Sequence, residues 1–321
     1  MTHELDPGLF DPARVDAATR GFNELAEKML AEMPTIIDVG AAATRAARLA
    51  DRSPLGAIVR LAHGESRRIP GPAGEIALRI FRPAKPRGVY VHIHGGGWAL
   101  GAEDQQDQTL DAVATRTGLV AVSAGYRLAP EHPYPAGPDD CEAAALWVVE
   151  NAARELGSGS GWIAIGGESA GAHLAVVTML RLRDRHRLTP FRAANLVYGC
   201  YDLGLTPSVR RWGTRNLILS TPIVAQFADW YVPAERRADP DVSPLHADLA
   251  GLPPALFTVG TLDPLLDDTL FMASRWRAAG NAAELAVYPG GIHAFNLFPI
   301  PLAEKANARA LDFLAKARDA A

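Results

Sequence analysis

Two cysteines, Cys141 and Cys200, are all that the 321 residues contain. That is too few for a disulfide framework, and both read as buried thiols. No run of about 18 apolar residues occurs, so no membrane-spanning helix is expected. No block of Lys or Arg stands out, and the net charge is −4. Nucleic acid and anionic membranes are therefore poor partners. The opening MTHELDPGLFDPARVD lacks the basic-then-apolar order of a signal peptide, and a cytoplasmic location is expected. There is no internal repeat, and low complexity is confined to GSGSG at 157–161. What is present is 48% hydrophobic and 21% charged, enough apolar material for one large α/β domain or two small ones.

The first 50 residues read as helical, with Val15, Phe22, Leu25, Met29 and Leu30 at helix-like spacing. After Pro54, GESRRIPGPAGEIALRIFRP reads as an antiparallel strand pair with its turn at 70–74. Apolar strand candidates follow at 88–96, 119–127, 162–167, 193–200, 254–260 and 283–290. Helical patterns fall near 104–117, 139–156, 170–184, 265–279 and 302–320. Apolar strands alternating with helices predict a mostly parallel sheet covered on both faces. Residues 201–252 break the pattern and read as an insertion placed to form a lid over strand ends.

The stretch IAIGGESAGAHLA, 163–175, holds a G-x-S-x-G match between a strand and a helix. Ser169 is either the helix N-cap or a nucleophile on a sharp turn, where small neighbours tolerate strain. A serine nucleophile needs a base, and this topology orders serine, acid, histidine. Four histidines follow Ser169: His173 in the same helix, His186 in RLRDRHR, His246 in the insertion, and His293 after the last strand. His293 is the candidate base, beside Gly290 and Gly291 in YPGGIHAFN. Asp263 follows an apolar strand and is the preferred acid. Asp267 and Asp268 are its rivals, though both sit where carboxylates meet a helix dipole. VHIHGGGWALG offers glycine backbone at 95–97 for an oxyanion hole, with the Ala170 N–H as a further donor. Losing one such donor typically costs about 3–4 kcal/mol of transition-state stabilisation.

Taken together, HGGGW at 94–98, YRLAPEHPYPA at 126–136, GESAG at 167–171, DPLLDD at 263–268 and HAF at 293–295 resemble the hormone-sensitive lipase family of α/β-hydrolases, in its bacterial esterase branch. The likeness runs in order from about residue 55 onward. It implies an α/β-hydrolase fold with a mostly parallel eight-stranded sheet, helices on both faces and a helical cap. The implied division is 1–54 as N-terminal cap helices, 55–200 and 236–321 as catalytic core, and 201–235 as cap insertion. It also implies carboxylester hydrolysis with no cofactor and no metal.

By the same resemblance Ser169 is the nucleophile, Asp263 the acid and His293 the base, with Gly96, Gly97 and Ala170 as the oxyanion hole. His94 braces the glycine loop, and Arg127 and Glu131 pair with neighbouring loops. Trp98, Ile292 and Phe295 are the candidate substrate contacts. Trp98 and the cap pieces point to an apolar pocket of limited depth, suited to short- and medium-chain acyl esters. Glu168 stands where the family most often has Asp, and Leu266 where it often has Arg. A residue next to Ser169 on a sharp turn faces elsewhere, so Glu168 is expected to anchor the elbow rather than serve in the triad.

Three alternatives stay beside the esterase reading. An amidase or a lactonase would use the same three residues. A small-molecule receptor of hydrolase fold would keep the pocket but typically lose a catalytic group, and none is missing here. The expected partner is a small-molecule ester. A last strand at the sheet edge could pair with its copy in a homodimer.

Overall fold

Every residue of Val89–Ile93 and of Val120–Ala124 is buried, as strands covered on both faces must be. They belong to a computed structural model that describes residues 5–320. In chain order come α1 (Ala17–Glu32), α2 (Ile36–Leu49), β1 (Glu65–Gly71), β2 (Gly74–Phe81) and β3 (Val89–Ile93). Then follow α3 (Asp107–Thr117), β4 (Val120–Ala124), α4 (Ala136–Asn151), β5 (Ile163–Glu168), α5 (Ala170–His186) and β6 (Phe191–Val197). The chain closes with α6 (Pro207–Trp212), α7 (Thr221–Tyr231), β7 (Ala255–Leu262), α8 (Leu266–Ala278), β8 (Ala283–Ile292) and α9 (Pro301–Asp319).

One eight-stranded sheet results, in the order β1-β2-β4-β3-β5-β6-β7-β8. β1 and β2 form the antiparallel pair, β2 joins β4 antiparallel, and the remaining pairings are parallel. The connections therefore cross over the sheet faces. Side chains of α4, α5 and α8 fill the core on one face, and those of α3 and α9 fill it on the other. No helix among the described residues is long and apolar enough to cross a membrane.

The buried face of α1 takes in Leu30 and packs Phe22, as the hydrophobic spacing indicates, but leaves out Leu25 and Met29. Leu25 is 66% exposed and Met29 43%, while Thr19, Asn23, Ala26 and Leu30 face inward. The reason is close approach. α1 packs on β8, Asn23 Nδ2 donates to Gly290 O at 2.8 Å, and a Cβ on Gly290 would lie 2.5 Å from Val15. Small and polar residues permit that contact, and they carry no hydrophobic signature. β8 is the edge strand, and residues 7–10, 12–14 and α1 pack against it.

Residues 201–252 contain α6, α7 and no strand beyond an isolated bridge between Leu217 and Leu219. Their base is fixed by Asp268, fully buried in the first turn of α8. Its carboxylate accepts from Tyr201 N at 2.7 Å, Asp202 N at 3.0 Å and Thr206 Oγ1 at 2.6 Å. Burial still outweighs those donors and pushes its pKa up to about 7. Its folded pKa lies above the unfolded value, so the stability it contributes is complete in acid and is lost as pH rises toward about 7. Asp268→Asn keeps an acceptor for both amides and cannot ionise. Its melting temperature relative to wild type should rise by several degrees between about pH 5 and about pH 8. A difference independent of pH would contradict this, and thermal unfolding scans at both pH values decide it.

Candidate active site

Ser169 sits between the last residue of β5 and the first of α5 with φ 55° and ψ −122°. Its side chain makes no capping hydrogen bond, so the N-cap reading fails. Such a left-handed turn costs on the order of 1–3 kcal/mol for a residue with a side chain. Tight packing around it holds the turn. A Cβ on Gly167 would lie 2.2 Å from Ile93 O, and one on Gly171 would lie 2.0 Å from the same oxygen. Both glycines are needed for elbow and β3 to touch.

The elbow presents Ser169 Oγ to His293 Nε2 at 3.0 Å, and His293 Nδ1 meets Asp263 Oδ2 at 2.8 Å. Asp263 and His293 follow β7 and β8, and both are buried. Asp263 Oδ1 also accepts from Leu265 N at 2.8 Å, which fixes the carboxylate. The rival acids serve the insertion instead: Asp267 accepts from Ser208 N at 2.8 Å, and Asp268 holds residues 201–206. The other histidines lie in separate contacts. His173 bridges Trp98 Nε1 and Val242 O, and burial pushes its pKa down to about 4. His186 contacts Glu142, and His246 contacts Asp202.

The glycine run turns with φ 119° at Gly96 and 58° at Gly97. A Cβ on Gly97 would lie 2.4 Å from the Phe227 ring of α7, and one on Gly96 would lie 2.4 Å from Leu100 O. The loop thus needs glycine for conformation and for space. Gly95 N donates to Glu168 Oε1 at 2.8 Å, whereas the Gly96 and Gly97 N–H groups have no acceptor among the described residues. Ala170 N–H adds an N-terminal helix donor beside them. His94 Nδ1 donates to Gly95 O at 2.9 Å, and its ring stacks on Tyr126 at 4.2 Å. Burial pushes its pKa down to about 4, so it braces the loop as a neutral ring.

Glu168 turns away from the triad and into the base of that loop. Its carboxylate meets His92 Nε2 at 2.9 Å, accepts Gly95 N, and accepts the Gln106 amide. His92 Nδ1 in turn meets Ser123 Oγ at 3.1 Å. Burial raises the Glu168 pKa, but His92 and the donors outweigh it and hold the carboxyl below its usual range. His92 could have been noticed as a polar residue inside the apolar strand β3, two positions before His94. Gln106, Tyr198 and Phe227 carry no comparable signal in the sequence. Tyr198 packs its ring 4.6 Å from that of His293.

A cavity of about 890 Å³ opens onto Ser169 and His293 beneath α1, α2 and α7. It is near the upper end for small-molecule sites. Trp98 lines it, stacked on Tyr231 at 4.6 Å. Ile292 and Phe295 do not line it. Both are fully buried in the core with Ala26 and Leu302, because the chain around His293 turns their side chains inward. Two further expectations are corrected: Arg127 pairs with Asp140 of α4 at 2.8 Å, and Glu131 with Arg45 of α2. The partners are helices, not loops.

The family described as the alpha/beta hydrolase fold matches residues 90–297. Carboxylesterase NlhH of Mycobacterium tuberculosis is 39% identical over 258 residues, covering 76% of this chain and 79% of its own length. Carboxylic ester hydrolase LipN of the same organism is 39% identical over 249 residues, covering 72% of this chain and 64% of LipN. Among solved structures, a hyperthermophilic esterase from Pyrobaculum calidifontis superposes with a TM-score of 0.83 at 30% identity, over 92% of this chain and 97% of that one. A thermostable esterase from Pseudomonas putida gives 0.84 at 27% identity, over 98% of each chain.

Removing the Glu168 carboxylate leaves buried His92 and the half-buried Gly95 N–H and Gln106 amide without their acceptor. Each unmet group costs roughly 1–3 kcal/mol, and the glycine loop is free to move. Glu168→Ala should lower kcat about ten- to a hundredfold, with a smaller change in KM. Glu168→Gln, which keeps an acceptor for Gly95 N–H, should lose less. Steady-state kinetics on p-nitrophenyl acetate measure both, and an unchanged kcat in Glu168→Ala would refute the bracing role.

Proposed function

From the premise that the chain belongs to the α/β-hydrolase family, in its hormone-sensitive-lipase-like branch, and is a carboxylic ester hydrolase, we propose that it cleaves short- to medium-chain acyl esters through an acyl-enzyme on Ser169. The observation that carries the reading is the line Asp263–His293–Ser169, with contacts of 2.8 and 3.0 Å, beside unengaged glycine N–H groups.

Ser169 Oγ attacks the ester carbonyl carbon while His293 Nε2 takes the hydroxyl proton. Asp263 orients the ring and stabilises the imidazolium. The carbonyl oxygen gains negative charge and is met by the N–H groups of Gly96, Gly97 and Ala170. The C–O bond to the alcohol breaks, and His293 returns the proton to the departing oxygen. Water then attacks the acyl carbon, giving its proton to His293. Collapse releases the acid and restores the Ser169 hydroxyl. Residues of α1, α2, α6 and α7 act as the cap that shields these steps from bulk water.

A panel of p-nitrophenyl esters and matching amides, run on wild type and Ser169→Ala, tests the reading. Wild type should turn over acetate to octanoate esters best, and the variant should turn over none. A maximum at dodecanoate or longer would refute the chain-length reading, and retained hydrolysis in Ser169→Ala would refute the nucleophile.

A further inference from the structure

The cavity does not end at the serine. It continues behind the elbow into a chamber between the sheet and helices α3 and α9, roofed by Val113, Leu311 and Leu314. The sheet side of that chamber is polar where a core would be apolar. His92, Gly166 and Asn195 are register partners across β3, β5 and β6. Gly166 makes room there, because a Cβ on it would lie 2.4 Å from the Tyr90 hydroxyl. Asn195 lines the chamber from the middle of β6, between Ala194 and Leu196; its side-chain amide lies beside the Tyr90 hydroxyl, and its Oδ1 is buried without a hydrogen-bond partner. An unmet buried acceptor carries its full desolvation penalty, so it calls for a ligand group that donates to it.

The reaction geometry selects which part of the substrate lies there. The leaving oxygen must face His293 Nε2, and the carbonyl oxygen must face the Gly96, Gly97 and Ala170 N–H groups. The acyl chain is the remaining substituent. Asn195 is level with Gly166, three residues below Ser169, a depth of about 10 Å at the strand rise. Glu168 lines the same cavity and is held as an anion by His92, Gly95 N–H and Gln106, which disfavours an acyl tail that carries a carboxylate. A neutral donor fits.

We propose that the chamber behind Ser169 receives the acyl chain and that Asn195 accepts a hydrogen bond from a hydroxyl at its far end, making hydroxyacyl esters preferred substrates. This rests on the acyl-enzyme reading above.

The test compares p-nitrophenyl 6-hydroxyhexanoate and 8-hydroxyoctanoate with hexanoate and octanoate. In wild type at least one hydroxyacyl ester should exceed its plain counterpart in kcat/KM. Asn195→Leu should lower that hydroxyacyl-to-alkanoyl ratio about tenfold, equivalent to about 1.4 kcal/mol. A ratio unchanged by the substitution, or no hydroxyacyl preference in wild type, overturns the proposal. Should Asn195→Leu fail to fold, Leu311→Trp fills the chamber from the helix side. It should lower the octanoate-to-acetate ratio of kcat/KM at least tenfold, and a ratio left unchanged overturns the placement of the acyl chain. Loss of acetate turnover in Ser169→Ala tests the underlying ester reading separately, so the two can fail independently.

Discussion

Ser169 is held in a left-handed backbone conformation that its own side chain disfavours, and the rest of the site is arranged around that turn. The conformation lifts Oγ off the end of β5 toward His293 instead of letting it cap α5. Relaxation is blocked by contact, since the elbow glycines rest against the Ile93 carbonyl of the neighbouring strand. The strand order places β3 directly beside β5, which brings the glycine loop to one side of the serine. β7 and β8 lie on the other side and deliver Asp263 and His293. A local strain therefore depends on the topology of the whole sheet.

Glu168 links the two halves of this arrangement. It is one residue from the nucleophile, yet its carboxylate accepts from the first glycine of the loop that would hold the oxyanion. His92 and Gln106 satisfy the same carboxylate from β3 and the start of α3. A buried charge with three donors is tolerable where an unpaired one is not. Elbow and loop are consequently tied to each other by this side chain as well as by the glycine contacts with β3.

Much of this was legible in the sequence because each signal had a local cause. Glycines at 95, 96, 167 and 171 mark places where backbone meets backbone, Gly97 marks the place of the Phe227 ring, and apolar strands followed by Asp263 and His293 mark loop positions at strand ends. Signals without a local cause were lost. Of the buried stripe of α1, only Leu30 shows in the hydrophobic spacing; Thr19, Asn23 and Ala26 sit where the helix comes close to β8. Ile292 and Phe295 flank the histidine in sequence, but the turn there sends both into the core. Gln106 reaches Glu168 across 62 positions, a distance no pattern reports.

Trapping the covalent intermediate tests the central claim most directly. Rapid acid quench during turnover of p-nitrophenyl butanoate, followed by peptide mass spectrometry, should find one butanoyl group on the peptide that contains Ser169. Turnover without any acyl adduct on that peptide, under conditions where deacylation is slowed by low temperature, would contradict the account.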